Sequence, residues 1–218
     1  MLVGEAIYLD YQASTPVDPR VLQIIHDAST THFANPHAAD HAFGWRASAA
    51  IQNAATQVSC LFGLEGEDVI FTSGASEANA MAIQTASSIA ENSQRNELLI
   101  GAGDHGSIIN EALTSGLTLK VIKLDESGAP DVRHLSEMIG ERTALVSIIG
   151  VNNENGAIAN LAEFSNQCEK HDVLFHADLA QAAANASSTG NLQMPPGAEE
   201  YADSPFNFSN GSGGNEYD

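Results

Sequence analysis

Residues 172–181 read DVLFHADLAQ, an apolar run through Val173, Leu174 and Phe175 that delivers His176, Asp178 and Gln181 in quick succession. A carboxylate at the end of a hydrophobic strand is costly to bury unless a cation meets it, so Asp178 predicts a cationic partner. In FTSGASEANAMAI (71–83), Gly74 separates a short extended run from a helix that opens at Ala75 or Ser76. Unpaired backbone N–H groups and the dipole at such a terminus favour an anion. The hydroxyls of Thr72, Ser73 and Ser76 add donors, and a phosphate fits. The segment is neither a Walker loop nor a GxGxxG turn, and a Ser-capped helix after a strand is equally an ordinary structural device. In GAGDHGSI (101–108) His105 stands just past a strand, and in VNNENG (151–156) Asn152, Asn153 and Glu154 follow the apolar run ALVSIIG. Each cluster alone reads as a polar loop or turn. Four such groups at four strand ends form a constellation, because parallel α/β sheets place their ligands at the carboxyl ends of strands.

The elements that must carry these groups alternate along the chain. PRVLQIIHDAS has apolar residues at helical spacing behind an Asp18–Pro19 start. The Ala-rich WRASAAIQNAATQVSCLFG predicts a helix stopped at Gly63, and ASEANAMAIQTASSIAENS predicts another. EDVIFTSG, NELLIGAG, LTLKVIKL, TALVSIIGV and VLFHAD predict strands; GSIINEALTSG, DVRHLSEMIG and NLAEFSNQCEKHD predict the helices between them. Strands separated by helices imply βαβ units, hence an α/β fold with a mostly parallel sheet and helices on both faces. One domain is expected over residues 1–185, an N-terminal arm plus α/β core. Residues 186–218, rich in Gly, Ser, Asn and Pro, are expected to form an irregular or disordered polar tail.

Composition narrows the partners. With 28 acidic residues against 8 basic ones the formal charge is −20, which disfavours nucleic acid and anionic membranes because both require clustered Lys and Arg. No apolar stretch approaches the roughly 20 residues of a membrane span, and no secretory signal is expected. Cys60 and Cys168, both in helical segments, read as core thiols of a reducing compartment, with the cytoplasm as the expected location. No metal site is expected.

The blocks IYLDYQASTPVDPRV, FANPHAADHAFGWRA, VIFTSGASEANAMAI, DHGSI, LVSIIGVNNENGAI and FHADLAQAAA occur in the order and spacing of the cysteine desulfurases. Over roughly residues 7–185 the chain resembles this family of pyridoxal-phosphate (PLP) enzymes, part of the class V aminotransferase group. The resemblance implies the large domain of PLP-transferase fold type I, incomplete here. By the same resemblance Gly74, Ala75 and Ser76 bind the cofactor phosphate, Ser76 replacing the family threonine. His105 stacks on the pyridine ring as a catalytic residue and proton shuttle. Asn152 contacts the side of the phenolic oxygen, Asp178 faces the pyridinium nitrogen, and Gln181 donates to the phenolic oxygen. The family converts L-cysteine to L-alanine, passing sulfur to an enzyme persulfide for uses such as iron–sulfur cluster assembly. Its members are homodimers.

The resemblance also implies a lysine in a Ser-Gly-His-Lys segment beyond Asp178, covalently linked to PLP. The three lysines, Lys120, Lys123 and Lys170, all precede Asp178, and FNFSNGSGGNEYD stands where that segment is expected. The nucleophilic cysteine loop, the substrate-binding arginine and the small domain find no match either. The expectation is a truncated or inactive desulfurase that holds PLP non-covalently at best. The alternative is a non-catalytic remnant of the fold acting as a binding or scaffold protein. An unrelated nucleotide binder lacks a motif to support it.

Overall fold

The computed structural model describes residues 2–3, 6–11, 13–60, 62 and 69–182. The expected polar tail, 186–218, and the expected helix stop at Gly63 lie outside them. A short antiparallel pair, β1 (Leu2–Val3) and β2 (Ala6–Ile7), precedes α1 (Pro19–Thr31) and α2 (Ala42–Cys60). The Asp18 carboxylate accepts from the Arg20 amide and Pro19 occupies the first turn, so α1 begins where the sequence places it. Then follow α3 (Ala75–Glu91), β3 (Glu97–Gly101), α4 (Gly106–Thr114), β4 (Thr118–Ile122), α5 (Val132–Met138), β5 (Thr143–Ile149), α6 (Leu161–Lys170) and β6 (Leu174–Asp178).

Strands β3 to β6 form one parallel sheet in the order β4-β3-β5-β6. All seven residues of β5 are buried, as expected of a strand with neighbours on both edges and helices on both faces. On one face, Leu98 and Ile100 of β3 pack with Ile83 and Ala86 of α3 and with Ile108 and Ala112 of α4. On the other, Leu99, Val146 and Ile148 meet Leu135 of α5 and Leu161, Phe164 and Cys168 of α6. A register shift between Glu97 and Leu98, which skips Ala144, brings Leu98 opposite Leu145. This irregularity lets Ala144 and Leu145 both join the α3–α4 side. Burial pushes the Cys168 thiol up to about 12, so it behaves as an inert apolar side chain. Cys60 is only half-buried, which corrects its expected place in the core.

Two regions depart from expectation. Residues 69–72 run as irregular chain rather than strand, and Ile70 and Phe71 are 70% and 54% exposed. Apolar, β-favouring residues do not make a strand unless another strand receives their backbone hydrogen bonds. Helix α1 is amphipathic yet buries none of its residues: Val21, Leu22, Ile24 and Ile25 are all exposed.

Candidate functional site

The order of the strands decides where a site can form. The chain leaves β3 for β4 on one side and then crosses to β5 on the other, so the connections diverge and open a crevice beyond the carboxyl ends of β3 and β5. His105 follows β3, the Asn152–Glu154 loop follows β5, and Asp178 ends β6 in register with Ile149 of β5. A cleft of about 330 Å³ occupies this crevice, lined by Asp10, Ala75, His105, Asn153, Asp178 and Gln181 among others. Its size lies within the roughly 300–1,000 Å³ common for small-molecule sites.

The floor of the cleft is a hydrogen-bonded acid. Asp178 is 7% exposed; its Oδ2 accepts from Asn79 Nδ2 at 2.9 Å and its Oδ1 from the Ala180 amide at 3.0 Å. Asn79, on the inner face of α3, also donates to Ser107 Oγ at 3.0 Å. Ser107 Oγ lies 2.9 Å from His105 Nδ1. His105 is the N-cap of α4 and accepts from the Ser107 amide. No basic side chain forms an ion pair with Asp178 among the described residues.

A second buried acid underlies the first. Asp104 Oδ1 accepts from the Ile149 amide at 2.8 Å and Oδ2 from the Gly101 amide at 3.2 Å, so one carboxylate clamps the ends of β3 and β5. A Cβ on Gly101 would stand 2.8 Å from Asp104 Oδ1, so a glycine is required for this approach. Burial pushes the Asp104 carboxyl up to about 7, opposed by these two amides and reinforced by the charge of Asp178. Burial likewise holds the His176 imidazole below its ordinary value, Asp178 opposing. His176 Nδ1 meets Ser147 Oγ at 2.9 Å on the neighbouring strand.

At the start of α3, the Ser73 amide donates to Glu77 Oε2 at 2.6 Å, and hydrogen bonds from Ser73 hold the Glu77 carboxyl below its usual range. No side chain caps α3 at Gly74, so the first-turn amides of the helix have no acceptor within it. A Cβ on Gly74 would meet nothing within 4 Å, so the approach to those amides is open. Ala75 lines the main cleft, whereas Ser76 faces an adjoining hollow of about 460 Å³ that also touches His105.

Ala75, His105, Asp178 and Gln181 thus share one cleft, Ser76 lines the adjoining hollow, and Gly74 lines neither. Asn152 does not line it. Its Nδ2 donates to the Gly103 carbonyl at 2.8 Å and its Oδ1 accepts from the Glu154 and Asn155 amides. That side chain builds the loop, and Asn153, one residue on, lines the cleft. Asp10, Asn79, Asp104 and Ser107 were not legible as site residues. The one available signal was Asn79, an amide set among alanines on the apolar side of a helix. Among the described residues no group of three or more His, Cys, Asp or Glu is placed to hold a metal ion, and no helix is long and apolar enough to cross a membrane.

The fold is a parallel α/β sheet with a polar cleft at its switch point, bordered by a helix N-terminus, an imidazole and a buried acid. The chain belongs to the class-V aminotransferase family, whose model matches residues 7–188. Cysteine desulfurase IscS of Rickettsia typhi is 36% identical over 178 residues, covering 80% of this chain and 43% of the relative. A NifS-like protein of Rickettsia africae has a solved structure that is 32% identical with a TM-score of 0.69, covering 81% of this chain and 48% of that one. The structure of SspA in complex with cysteine is 30% identical with a TM-score of 0.72, covering 78% and 49%. The chain therefore spans less than half the length of the curated relatives it matches. The fold expected from the sequence, the α/β large-domain portion of PLP fold type I, is the fold observed.

Proposed function

We propose that the cleft is a PLP site and that these residues form the cofactor-holding portion of a cysteine-desulfurase-like protein for an L-cysteine-like amino acid. Asp178 carries the reading: a buried carboxylate on the floor of a cleft, held by two donors and without an ion pair among the described residues. A protonated ring nitrogen is the partner such a group accepts, through a charge-assisted hydrogen bond. When bound, PLP supplies an electron sink for cleavage at the substrate α-carbon. The protein's own residues do the holding. Asp178 keeps the proton on the ring nitrogen. The first-turn amides of α3, with the Ser76 hydroxyl, receive the phosphate. His105, Asn153 and Gln181 flank the ring and its phenolic oxygen.

None of Lys120, Lys123 or Lys170 lines the cleft, and Lys120 is committed to Glu97 at 2.7 Å. In these 218 residues the cofactor is therefore held without a covalent link, and desulfuration is not expected of them alone. The test is a PLP titration of the full chain followed by borohydride and mass spectrometry. Saturable binding with no lysine adduct is expected, with pyridoxal, which lacks the phosphate, binding more weakly. Asp178→Ala should weaken PLP by about ten- to a hundredfold, the worth of one hydrogen bond to a charged group. Equal binding by wild type and Asp178→Ala overturns the reading.

The uncovered apolar side chains of α1 favour a second reading beside this one, a non-catalytic scaffold that pairs with a second copy of itself. Pairing in sedimentation equilibrium fits both readings, so the PLP titration separates them: pairing without PLP binding supports the scaffold alone. A cytoplasmic location completes the proposal, supported by two unpaired cysteines in a small chain.

A further inference from the structure

The groups around Asp178 and His105 are joined by hydrogen bonds whose direction is fixed. Asp178 Oδ2 accepts from the Asn79 amide nitrogen at 2.9 Å. That nitrogen has two hydrogens, and its second acceptor is Ser107 Oγ at 3.0 Å. With its oxygen accepting from Asn79, the Ser107 hydroxyl is free to donate, and His105 Nδ1 lies 2.9 Å away. The same Nδ1 accepts from the Ser107 backbone amide at 3.2 Å as the cap of α4. A nitrogen that receives both bonds carries no proton.

We propose that Asn79 and Ser107 are positioning residues whose hydrogen bonds run outward from the Asn79 amide, holding Asp178 at one end and locking His105 as its Nε2–H tautomer at the other. His105 then offers the cleft a hydrogen-bond donor. It has no lone pair at Nε2 with which to take a proton, and protonation at Nδ1 would displace both the Ser107 hydroxyl and the helix cap. In this arrangement His105 orients and donates at Nε2 rather than accepting a proton there. Its consequence for chemistry rests on the PLP reading; the tautomer itself does not.

Long-range proton–nitrogen correlation spectra of the full chain without cofactor test this. His105 is assigned by the signal lost in His105→Gln. The wild type is expected to show one protonated and one bare ring nitrogen in the Nε2–H pattern. In Ser107→Ala the residue-107 amide still caps Nδ1, so both nitrogens should move only part of the way toward the averaged positions of a ring exchanging between forms, and Ser107→Thr, which restores the hydroxyl, should bring the single-tautomer pattern back. Asn79→Leu should produce the same averaging as Ser107→Ala and weaken PLP about tenfold. Backbone amide spectra of β3 and β5 report whether each variant is folded. If Asn79→Leu is not, Ser107→Ala and the wild-type pattern still decide. A proton on Nδ1 in the wild type, or a pattern unmoved in folded Ser107→Ala, overturns the proposal. A locked tautomer in a protein that fails to bind PLP refutes the cofactor reading and leaves the positioning role standing.

Discussion

Replacing Asp104 by Asn is expected to flatten the dependence of stability on pH. In the folded state burial raises the Asp104 carboxyl from 3.8 to about 7, so between those values the native state binds a proton that the unfolded chain has released. The contribution of Asp104 to stability is therefore complete below about pH 4 and declines as pH rises through 7. At about 1.36 kcal/mol per pKa unit, the interval amounts to about 4 kcal/mol. The amide introduced by Asp104→Asn resembles the protonated acid. It keeps an acceptor for one of the Ile149 and Gly101 amides and places an NH₂ against the other, a cost of about 1 kcal/mol at low pH. Urea unfolding at a series of pH values should show the wild type more stable near pH 4, the two curves crossing, and Asp104→Asn more stable at pH 8. Parallel curves would mean that the clamp between β3 and β5 holds a permanently charged group.

The other large effect belongs to the opposite face of the sheet. Phe164 of α6 is fully buried and lies nearly parallel to Phe175, ring centroids 6.5 Å apart. Around it are Leu99, Leu135, Val146 and Leu161, carried by both strands and helices, so a cavity there cannot close by moving one element. Phe164→Ala should cost about 3–5 kcal/mol in chemical denaturation. Leu22→Ala on α1, where 52% of the residue is exposed, should change stability by less than about 0.5 kcal/mol. A Phe164→Ala loss as small as that of Leu22→Ala would show that α6 does not pack as described.

The core sheet was legible because its strands are strongly patterned. TALVSIIGV and NELLIGAG are apolar on both faces, a composition that only a doubly covered strand supports, and helices α3 to α6 show three-to-four periodicity with clear starts. EDVIFTSG misled because β propensity reports fitness for a sheet surface and says nothing of whether a partner strand is present. The strand-end rule places Asp178, His105 and Gln181 together, and they do line one cleft, since the rule depends on topology alone. It could not choose between Asn152 and Asn153. Successive loop residues point in different directions, and the choice is made by which amide the turn consumes. Asp104 and Ser107 carry no local signal in the sequence, and Asn79 only its place among alanines, for a related reason. Their importance lies in partners 28 to 99 residues away, a separation that no local pattern encodes.

The bare greasy flank of α1 has a colloidal consequence. A molecule with Val21, Leu22, Ile24 and Ile25 in water is expected to stay dispersed at low ionic strength because every copy carries a formal charge of −20. Raising salt from 0.01 M to 1 M shortens the range of that repulsion from about 30 Å to about 3 Å while leaving the attraction between oily surfaces intact. Light scattering should therefore rise with sodium chloride at constant pH, and Ile24→Lys should suppress the rise.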